Sequence, residues 1–446
     1  MEKVRLQMDM EIPVIAEADV LVVGGGPGGL GASVMAARAG ASVILAERCG
    51  ILGGMASQGE VTPFMANHYT VEKKEGEEVS TYTLDKPIYP EWVAKMASYL
   101  PGNLRRECEA DTEVAKWSSR ILSKDIAPMA MEDLCLGAGV RLLYHHNLAG
   151  VHLENGKIAW VYFTSKSGFV AIRAKNYVDC TGDGDLAVMA GCPFEFGGPS
   201  GNCQPMTLCF KLDHVDRKRV PKNLSELYNQ AKAAGKLDCP RENVLYFSYF
   251  DEDVIHFNTT RVIRKSGVDG LELSEAELEG HRQFKEFFRW LRSEVPGFEN
   301  AQIRSIASHI GVRESRRILG LHYLRREDFR NRAKFADAIA RCNYPIDIHN
   351  PDGTGTEHEF IPSSDYYEIP YGCIIPRGIS NLAVGGRPIS VDHAVHASSR
   401  VMPPACSVGQ AAGVAAALSS ASGVTLPELD GKLVRAKLVE MGAFLN

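Results

Sequence analysis

The chain has 446 residues, and its 49 lysine and arginine residues against 55 aspartate and glutamate residues give a formal net charge of −6 at pH 7. This balance provides no basic surface of the kind that binds nucleic acid, and nowhere are there about 18 consecutive apolar residues, as a membrane span requires. We therefore expect a cytoplasmic protein with no nucleic-acid and no membrane partner, long enough for two or three domains.

The eleven cysteine residues are spread singly, without a C-x-x-C pair. Structural zinc sites and iron–sulfur clusters draw on closely spaced cysteine ligands. We therefore predict reduced thiols and no bound metal. A redox-active disulfide between distant cysteines stays open as an alternative.

Residues 19–54 have the order strand, glycine turn, helix, strand and acid. The residues assigned to this turn and acid are Gly24, Gly26, Pro27, Gly28, Gly29 and Glu47. Glycines permit a tight turn and close approach of the backbone to a pyrophosphate, which the amino terminus of the following helix attracts. The acid accepts hydrogen bonds from ribose hydroxyls and would repel a 2′-phosphate, so the pattern favours NAD or FAD over NADP.

Downstream, a second glycine-rich loop covers residues 50–59, where bare backbone suits close approach to something flat, such as an isoalloxazine ring. Residues 71–79 are a charged run that predicts a solvated loop. Residues 89–100 and 127–137 are helix candidates.

A three-stranded antiparallel meander is predicted for residues 150–153, 157–163 and 169–173, because an Asn-Gly pair and a Ser-Gly pair separate runs of alternating residues. The chain then returns as a strand at residues 177–179 and enters a turn that contains Thr181, Gly182 and Asp185. Because the carboxyl ends of parallel strands share one edge of a sheet, we expect this turn beside the first glycine turn.

Residues 195–370 differ in character. Strand candidates lie at 206–212, 244–250 and 254–258, and a charged amphipathic helix is predicted over 274–292.

The end of the chain returns to the first pattern. A short strand at 382–384 leads to Gly386 and Arg387, and residues 405–418 form a helix rich in glycine and alanine. Such small residues permit close packing, which we expect against the cofactor-binding sheet.

Four motifs together resemble one family: GGGPGGLGAS with its acid, DCTGDGDLA, SHIGVRESRRILGLHYL and RVMPPACSVGQAAGVAAA. The chain is similar to the glutathione-reductase-type FAD-binding superfamily, most closely to bacterial FAD-dependent oxidoreductases, which are related to fumarate reductase and succinate dehydrogenase flavoproteins. The resemblance implies an α/β fold with a Rossmann-like FAD-binding domain and an inserted α+β substrate or cap domain. It divides the chain into a discontinuous FAD-binding domain at 1–60, 125–195 and 371–446, a helical insertion at 61–124 and the substrate or cap domain at 196–370.

The resemblance also implies roles for individual residues. The glycine turn cradles the FAD pyrophosphate, Glu47 holds the adenosine ribose and Arg48 flanks the adenine. The residues implied at the flavin, the ribityl chain and the nucleotide cover are Gly53, Gly54, Met55, Ala56, Thr181, Gly182, Asp185, Gly386, Arg387, Ala405, Cys406 and Ser407. Relatives with covalent FAD carry a histidine after the loop glycines where this chain has Met55, so non-covalent FAD is expected.

Residues 308–317 contain a cluster of charged side chains. In an extended conformation, Arg313, Ser315 and Arg317 share one face, opposite Glu314 and Arg316. One face then binds a substrate carboxylate through a forked guanidinium contact, while the other forms a structural ion pair. Arg313 is our catalytic-site candidate, and a purely structural role for these arginines is the alternative.

His393, His396 and Arg400 follow at spacings of three and four residues, which puts them on one stripe of a helix. An imidazole beside a flavin takes or gives the proton that accompanies hydride transfer. We predict catalytic roles for all three. The alternatives are histidines packed in the core and half of a metal site, for which no third ligand is identifiable.

We therefore expect an FAD-dependent dehydrogenase or reductase that acts on a small organic substrate, which is anionic if Arg313 binds it. Because no second nucleotide motif follows residue 190, we expect electrons to be exchanged with the substrate itself or with an external electron donor or acceptor. Two alternatives stay open: an NAD-binding biosynthetic protein of the thiazole-synthase kind, and a flavoprotein subunit that passes electrons within a complex.

Overall fold

The computed structural model describes residues 10–65, 67–71, 80–102, 123–248, 251 and 253–446. The strands are β1 (Val14–Val23), β2 (Val43–Ala46), β3 (His68–Val71), β4 (Ser80–Thr83), β5 (Arg141–Leu143), β6 (Asn147–Glu154), β7 (Lys157–Ser165), β8 (Gly168–Asp179), β9 (Phe194–Phe196), β10 (Phe210–Asp213), β11 (Tyr246–Ser248), β12 (Ile255–Phe257), β13 (Gln302–Ile306), β14 (Arg316–Ile318), β15 (Ala338–Cys342), β16 (Ile346–His349), β17 (Thr356–Glu359), β18 (Tyr367–Pro370) and β19 (Leu382–Val384). The α-helices are α1 (Pro27–Arg38), α2 (Ile88–Ser98), α3 (Ile126–Gly137), α4 (Asp185–Met189), α5 (Leu224–Ala233), α6 (Gly270–Glu294), α7 (Arg326–Arg330), α8 (His393–Ser399), α9 (Met402–Ser422) and α10 (Gly431–Glu440).

The main sheet is mixed, and its parallel part has the strand order β5-β2-β1-β8-β19. Val20, Leu21 and Val22 on its central strand β1 are fully buried. A continuous apolar run of this kind suits a parallel strand covered on both faces. The prediction of an α/β fold with a parallel sheet, as in FAD-binding Rossmann-like proteins, is confirmed.

Strands β6, β7 and β8 form the predicted antiparallel meander. Its third strand does not end near residue 173 as predicted, but continues to Asp179 and pairs with β1 along the way. The residues between 173 and 177 include the polar Lys175 and Asn176. Asn176 is nevertheless buried, because its Nδ2 donates to Ala416 O at 3.3 Å and Ser420 Oγ at 2.9 Å on α9. One strand therefore belongs to both parts of the sheet.

Helix α9 packs closely through its glycine residues, as the small residues at 405–418 predict. Its main partner, however, is helix α1 and not the cofactor-binding sheet. A Cβ added at Gly413 would lie 2.0 Å from Ala32 O, and one at Gly409 would lie 2.0 Å from Gly28 O. Only glycine permits this backbone contact. Within the described residues, no single helix is long and apolar enough to cross a membrane; α8 and α9 have the required length and composition only when taken together, with a bend of 96° between them.

A second hydrophobic core takes its buried residues from 206–312. It lies between the sheet β11-β12-β10-β13 and the long helix α6, which confirms the helix predicted at 274–292. The predicted strand at 206–212 is shorter, since β10 begins at Phe210, and residues 249–250 lie outside the described part. Later residues such as Tyr367 pack in the first core. The boundaries of an inserted domain at 196–370 stay a prediction.

The segment at 61–124 contains the hairpin β3-β4 as well as helix α2, while residues 103–122 and most of the charged run at 71–79 lie outside the described residues. Asp85 links this segment to α9 by a hydrogen bond. The carboxyl group of Asp85 is fully buried and accepts hydrogen bonds from Ser407 Oγ at 2.8 Å and from Asn67 Nδ2 at 3.1 Å. Burial raises the pKa of Asp85 to about 7, although these hydrogen bonds oppose the rise.

We predict that the buried Asp85 makes the protein less stable as pH rises from about 4 to 7. In this window the folded state keeps a proton that the unfolded state, with its ordinary pKa of 3.8, has released, so stability falls with pH. The isosteric variant Asp85→Asn lacks this titration. Its free energy of unfolding, measured by urea denaturation at several pH values, should rise relative to that of the wild type by on the order of 1 kcal/mol per pH unit across this window. A difference that stays constant with pH would contradict this.

Candidate functional site

The glycine turn, the end of β2, the turn after β8 and the start of α9 surround one groove, which we call the nucleotide groove. The predicted cofactor residues that line it are Gly24, Gly26, Pro27, Gly28, Glu47, Arg48, Gly54, Met55, Thr181, Gly182, Asp185, Gly386, Arg387 and Ala405. Strands β1, β8 and β19 are parallel neighbours, so their carboxyl ends bring these distant segments together.

Five predicted cofactor residues do not line the groove: Gly29, Gly53, Ala56, Cys406 and Ser407. Gly29 lies against the turn, where an added Cβ would be 2.0 Å from Gly24 O. Gly53 ties the second glycine loop to the first, since its N–H donates to Gly25 O at 2.8 Å. Ser407 faces the opposite way and donates to Asp85. These residues support the groove without lining it.

Glu47 is 6% exposed and holds the glycine turn in place. Its Oε2 accepts the Gly25 N–H at 2.7 Å, and its Oε1 accepts the Cys49 N–H at 2.9 Å. A carboxylate oxygen accepts more than one hydrogen bond. The ribose contact predicted for Glu47 is therefore compatible with this structural role.

Asp179 organises the turn after β8, on the opposite rim of the nucleotide groove. It is the first residue of the DCTGDGDLA motif, but no role was predicted for it. Its Oδ1 accepts from Thr181 N at 3.0 Å and Thr181 Oγ1 at 2.7 Å, and its Oδ2 accepts from Ala187 N at 2.8 Å. Burial raises its pKa to about 6 against the pull of these donors. The turn that Asp179 fixes also presents Asp183, whose Oδ1 lies 2.5 Å from Arg387 Nη2.

A second cavity of about 460 Å³ adjoins the groove, and we call it the arginine cavity. Its charged and polar lining includes Arg241, Arg313, Arg400, Asp347 and His349, while Met55, Val61 and Val312 contribute apolar surface. The two cavities share Met55, Val312, Arg387, Arg400 and Met402, which form the passage between them. A ligand in the arginine cavity thus lies next to a cofactor in the groove.

Arg313 lines the arginine cavity, as predicted for a substrate ligand. Arg317 does not share its face. Arg317 is buried and its Nη1 donates to Glu314 Oε1 at 2.6 Å, while its Nη2 donates to Gly197 O at 2.9 Å. The predicted division of the two faces is wrong because only 316–318 form a strand, so the alternation does not extend back to residue 313.

The three residues predicted on one helical stripe have different environments. His396 is fully buried, and its ring nitrogens have no hydrogen-bond partner among the described residues. Burial, with the charges of Arg317 and Arg400, holds the pKa of His396 well below its usual range. His393 Nδ1 lies 2.7 Å from Glu314 Oε1. Neither histidine lines either cavity, whereas Arg400 lines both.

Sequence reasoning missed several residues of the arginine cavity, above all Asp347, His349 and Arg241. In strand β16 the residues alternate, with Ile346 and Ile348 in the first core and Asp347 and His349 at the cavity. Polar residues at every second position of an apolar strand were a usable signal. Arg241 lies in a loop and carries no pattern. Among the described residues, no cluster of three or more histidine, cysteine or acidic side chains is placed to hold a metal ion.

The family model described as FAD dependent oxidoreductase matches residues 19–438. The chain belongs to the FAD-dependent oxidoreductase family. No curated protein matches it.

Solved structures similar to this oxidoreductase include a geranylgeranyl bacteriochlorophyll reductase-like protein from Thermoplasma acidophilum, with 14% identity over 95% of this chain and 83% of that one and a TM-score of 0.45. The p-nitrophenol 4-monooxygenase PnpA from Pseudomonas putida DLL-E4 shares 10% identity over 96% and 80% of the two chains, with a TM-score of 0.41. The flavin-dependent brominase Bmp2 shares 12% identity over 95% and 83%, with a TM-score of 0.45.

FAD is the cofactor of this oxidoreductase, and the groove fits its dinucleotide part. A Cβ added at Gly26 would have no atom within 4 Å, so the backbone of the turn faces open space at the start of α1. Free N–H groups at such a helix start bind phosphate oxygens. The carboxylate of Glu47 can accept further hydrogen bonds, and it follows the glycine turn at the spacing at which an acid binds the ribose of a dinucleotide.

We predict that Gly26→Val weakens FAD binding without harming the fold. The φ of −77° and ψ of −171° at Gly26 suit any residue, and the added side chain enters the open space that a pyrophosphate needs. Titration of the apoprotein with FAD should show an affinity reduced about tenfold or more. The melting temperature of the apoprotein should stay unchanged.

Gly137→Val is the matched control, because an added Cβ there also meets no atom within 4 Å, and Gly137 lies at the end of α3, outside the residues that line the groove. It should bind FAD normally. Tight FAD binding by Gly26→Val would show that the cofactor does not approach the turn.

Proposed function

We propose that the oxidoreductase transfers hydride between non-covalent FAD in the nucleotide groove and a small anionic organic substrate in the arginine cavity. The convergence of three turns at the carboxyl ends of parallel strands also supports the relationship to the glutathione-reductase-type superfamily. When bound, FAD supplies the two-electron redox chemistry, and the side chains of the chain bind and orient the substrate beside it.

The observation that carries this proposal is the pair Arg241 and Arg313, whose hydrogen bonds go to neutral oxygen atoms. Arg313 donates to Pro205 O and Thr207 Oγ1, both at 2.6 Å, and to Asn258 Oδ1 at 3.2 Å. Carbonyl and hydroxyl groups orient the guanidinium, and among the described residues no carboxylate forms an ion pair with it; the charge of Asp347 acts on it only at longer range.

Arg241 repeats this pattern from another loop. It is 3% exposed, its Nε donates to Asn243 Oδ1 at 3.0 Å, and its Nη1 has no hydrogen-bond partner among the described residues. The charges of Glu242 and Asp347 offset only part of the cost of burying this cation, because neither carboxylate forms an ion pair with it. An anionic substrate would offset it for both arginines.

The electrostatics of the arginine cavity support an anionic substrate. Burial, together with the charges of Arg241 and Arg400, lowers the pKa of Arg313 to about 9, so the three guanidinium groups repel one another in a partly dry space. The apolar side chains of Met55, Val61 and Val312 exclude water from the same wall. Charge-assisted hydrogen bonds to a carboxylate are strong under these conditions.

The second half of the turnover needs an external electron donor or acceptor. This partner stays a prediction, as do the catalytic roles of His393 and His396, which the proposal does not use. The proposal does keep a role for Arg400, because this residue lies in the passage between the arginine cavity and the nucleotide groove.

Two variants test the proposal, Arg241→Met and Arg313→Met, each in the FAD-loaded enzyme. Flavin bleaching is followed anaerobically with lactate, malate, succinate, glutamate and benzoate, and with the methyl ester of each. An acid should bleach the flavin or shift its absorption while its ester does not. Either variant should weaken this binding about 10- to 150-fold, the value of one charge-assisted hydrogen bond, and retain FAD.

Arg304→Met is the matched control, since Arg304 is exposed and paired with Asp251 at 3.2 Å. It should behave as the wild type. Equal responses to acids and esters, or full affinity in both cavity variants, would contradict an anionic substrate.

A further inference from the structure

Arg261 lies behind the arginine cavity and determines the proton position on His349. Its side chain is 1% exposed, and Nη1 donates to Glu242 Oε2 at 3.0 Å. Nη2 lies 3.2 Å from His349 Nδ1. A guanidinium only donates, so Nδ1 of the neutral imidazole must accept, and the ring proton is on Nε2. Burial and the charge of Arg313 hold the pKa of His349 at about 3, which keeps the ring neutral.

The Nε2–H of His349 faces Asp347. Nε2 and Asp347 Oδ2 are 3.5 Å apart, and Tyr344 Oη donates to the same oxygen at 3.3 Å. On the other side, His358 Nδ1 lies 3.6 Å from Asp347 Oδ1. Burial alone would raise the pKa of Asp347, but the contact with His349 and the charges of Arg400 and Arg313 hold it below its usual range. Asp347 is therefore an ionised group surrounded by donors.

Arg400 is the residue on which Asp347 acts. Its Nη2 donates to Asp347 O at 3.3 Å and lies 3.6 Å from Asp347 Oδ2. Its Nε is buried and has no hydrogen-bond partner among the described residues. A guanidinium held at one end and unpaired at the other is oriented for a ligand.

We propose that Arg261 and His349 hold Asp347 as a fixed anion that anchors Arg400 in the passage, which makes His349 and Asp347 positioning residues of the substrate site. The contacts run from Arg261 to His349 at 3.2 Å, from His349 to the Asp347 carboxylate at 3.5 Å, and from Arg400 to the Asp347 backbone oxygen at 3.3 Å and its carboxylate at 3.6 Å. They add an oriented cation to the passage, where Asp183 already holds Arg387. Its bearing on the substrate rests on the proposed function, whereas the anchoring itself is testable without any substrate.

The tautomer is read from the FAD-loaded enzyme labelled with ¹⁵N-histidine. The His349 signals are those that vanish in His349→Gln. They should report a neutral ring protonated at Nε2, unchanged between about pH 5.5 and 8.5, where an ordinary histidine titrates. Arg261→Met should let the ring change tautomer or titrate. A ring protonated at Nδ1 in the wild type would overturn the proposal.

The anchoring is read from the rate at which phenylglyoxal modifies Arg400, measured by peptide mass spectrometry and divided by the rate at the buried Arg317 in the same sample. His349→Leu and Asp347→Asn should each raise this ratio roughly fivefold or more. His349→Gln should keep it near the wild-type value, because a glutamine amide both accepts from Arg261 and donates to Asp347. The internal reference at Arg317, which is paired with Glu314 and not with Asp347, separates a freed Arg400 from general loosening of the fold.

Wild-type ratios in both His349→Leu and Asp347→Asn would overturn the anchoring, and so would failure of His349→Gln to restore the ratio. If no acid binds the enzyme but the ratios change as stated, the anchoring is supported and the anionic substrate is rejected. The two proposals therefore fail separately.

Discussion

Helices α1 and α9 touch backbone to backbone, and this contact determines where both cavities form. A side chain at Gly31, Gly409 or Gly413 would overlap main-chain atoms of the other helix. Helix α1 begins at the glycine turn and α9 begins at Met402, and both starts lie at the nucleotide groove. Two positive helix ends thus meet where phosphates and a reduced cofactor carry negative charge. Arg400, just before α9, is placed in the passage by the same contact.

The arginine residues near the groove fall into two kinds, and the difference assigns their roles. Arg317 and Arg387 have carboxylate partners, Glu314 at 2.6 Å and Asp183 at 2.5 Å, and fasten the 311–318 segment and the β19 turn. Arg241 and Arg313 are held by neutral oxygens. Arg387 lines both cavities but is held by its carboxylate partner, whereas Arg241 and Arg313 line the arginine cavity without an ion pair among the described residues.

Local chemistry made the nucleotide groove predictable. The turn at Gly24 and Gly26 has geometric requirements that only a few residues meet, so adjacent residues carry the whole signal. The arginine cavity carries only separate signals, Arg313 in its charged cluster and the alternation in β16, because Arg241, Arg313 and Asp347 come from three segments that only tertiary packing joins. His396 shows a further limit: helical spacing identifies a stripe but not the side that packs inward, and α8 turns this ring into the core.

The most direct test of an anion site beside the flavin is the anomalous scattering of bromide in crystals of the FAD-loaded enzyme. Bromide is a small anion, and its anomalous scattering locates it without assumptions about the substrate. The account predicts a bromide peak between Arg241 and Arg313 in the wild type, and its loss when either arginine is replaced by methionine. Bromide bound at surface arginines but absent from the arginine cavity would contradict it.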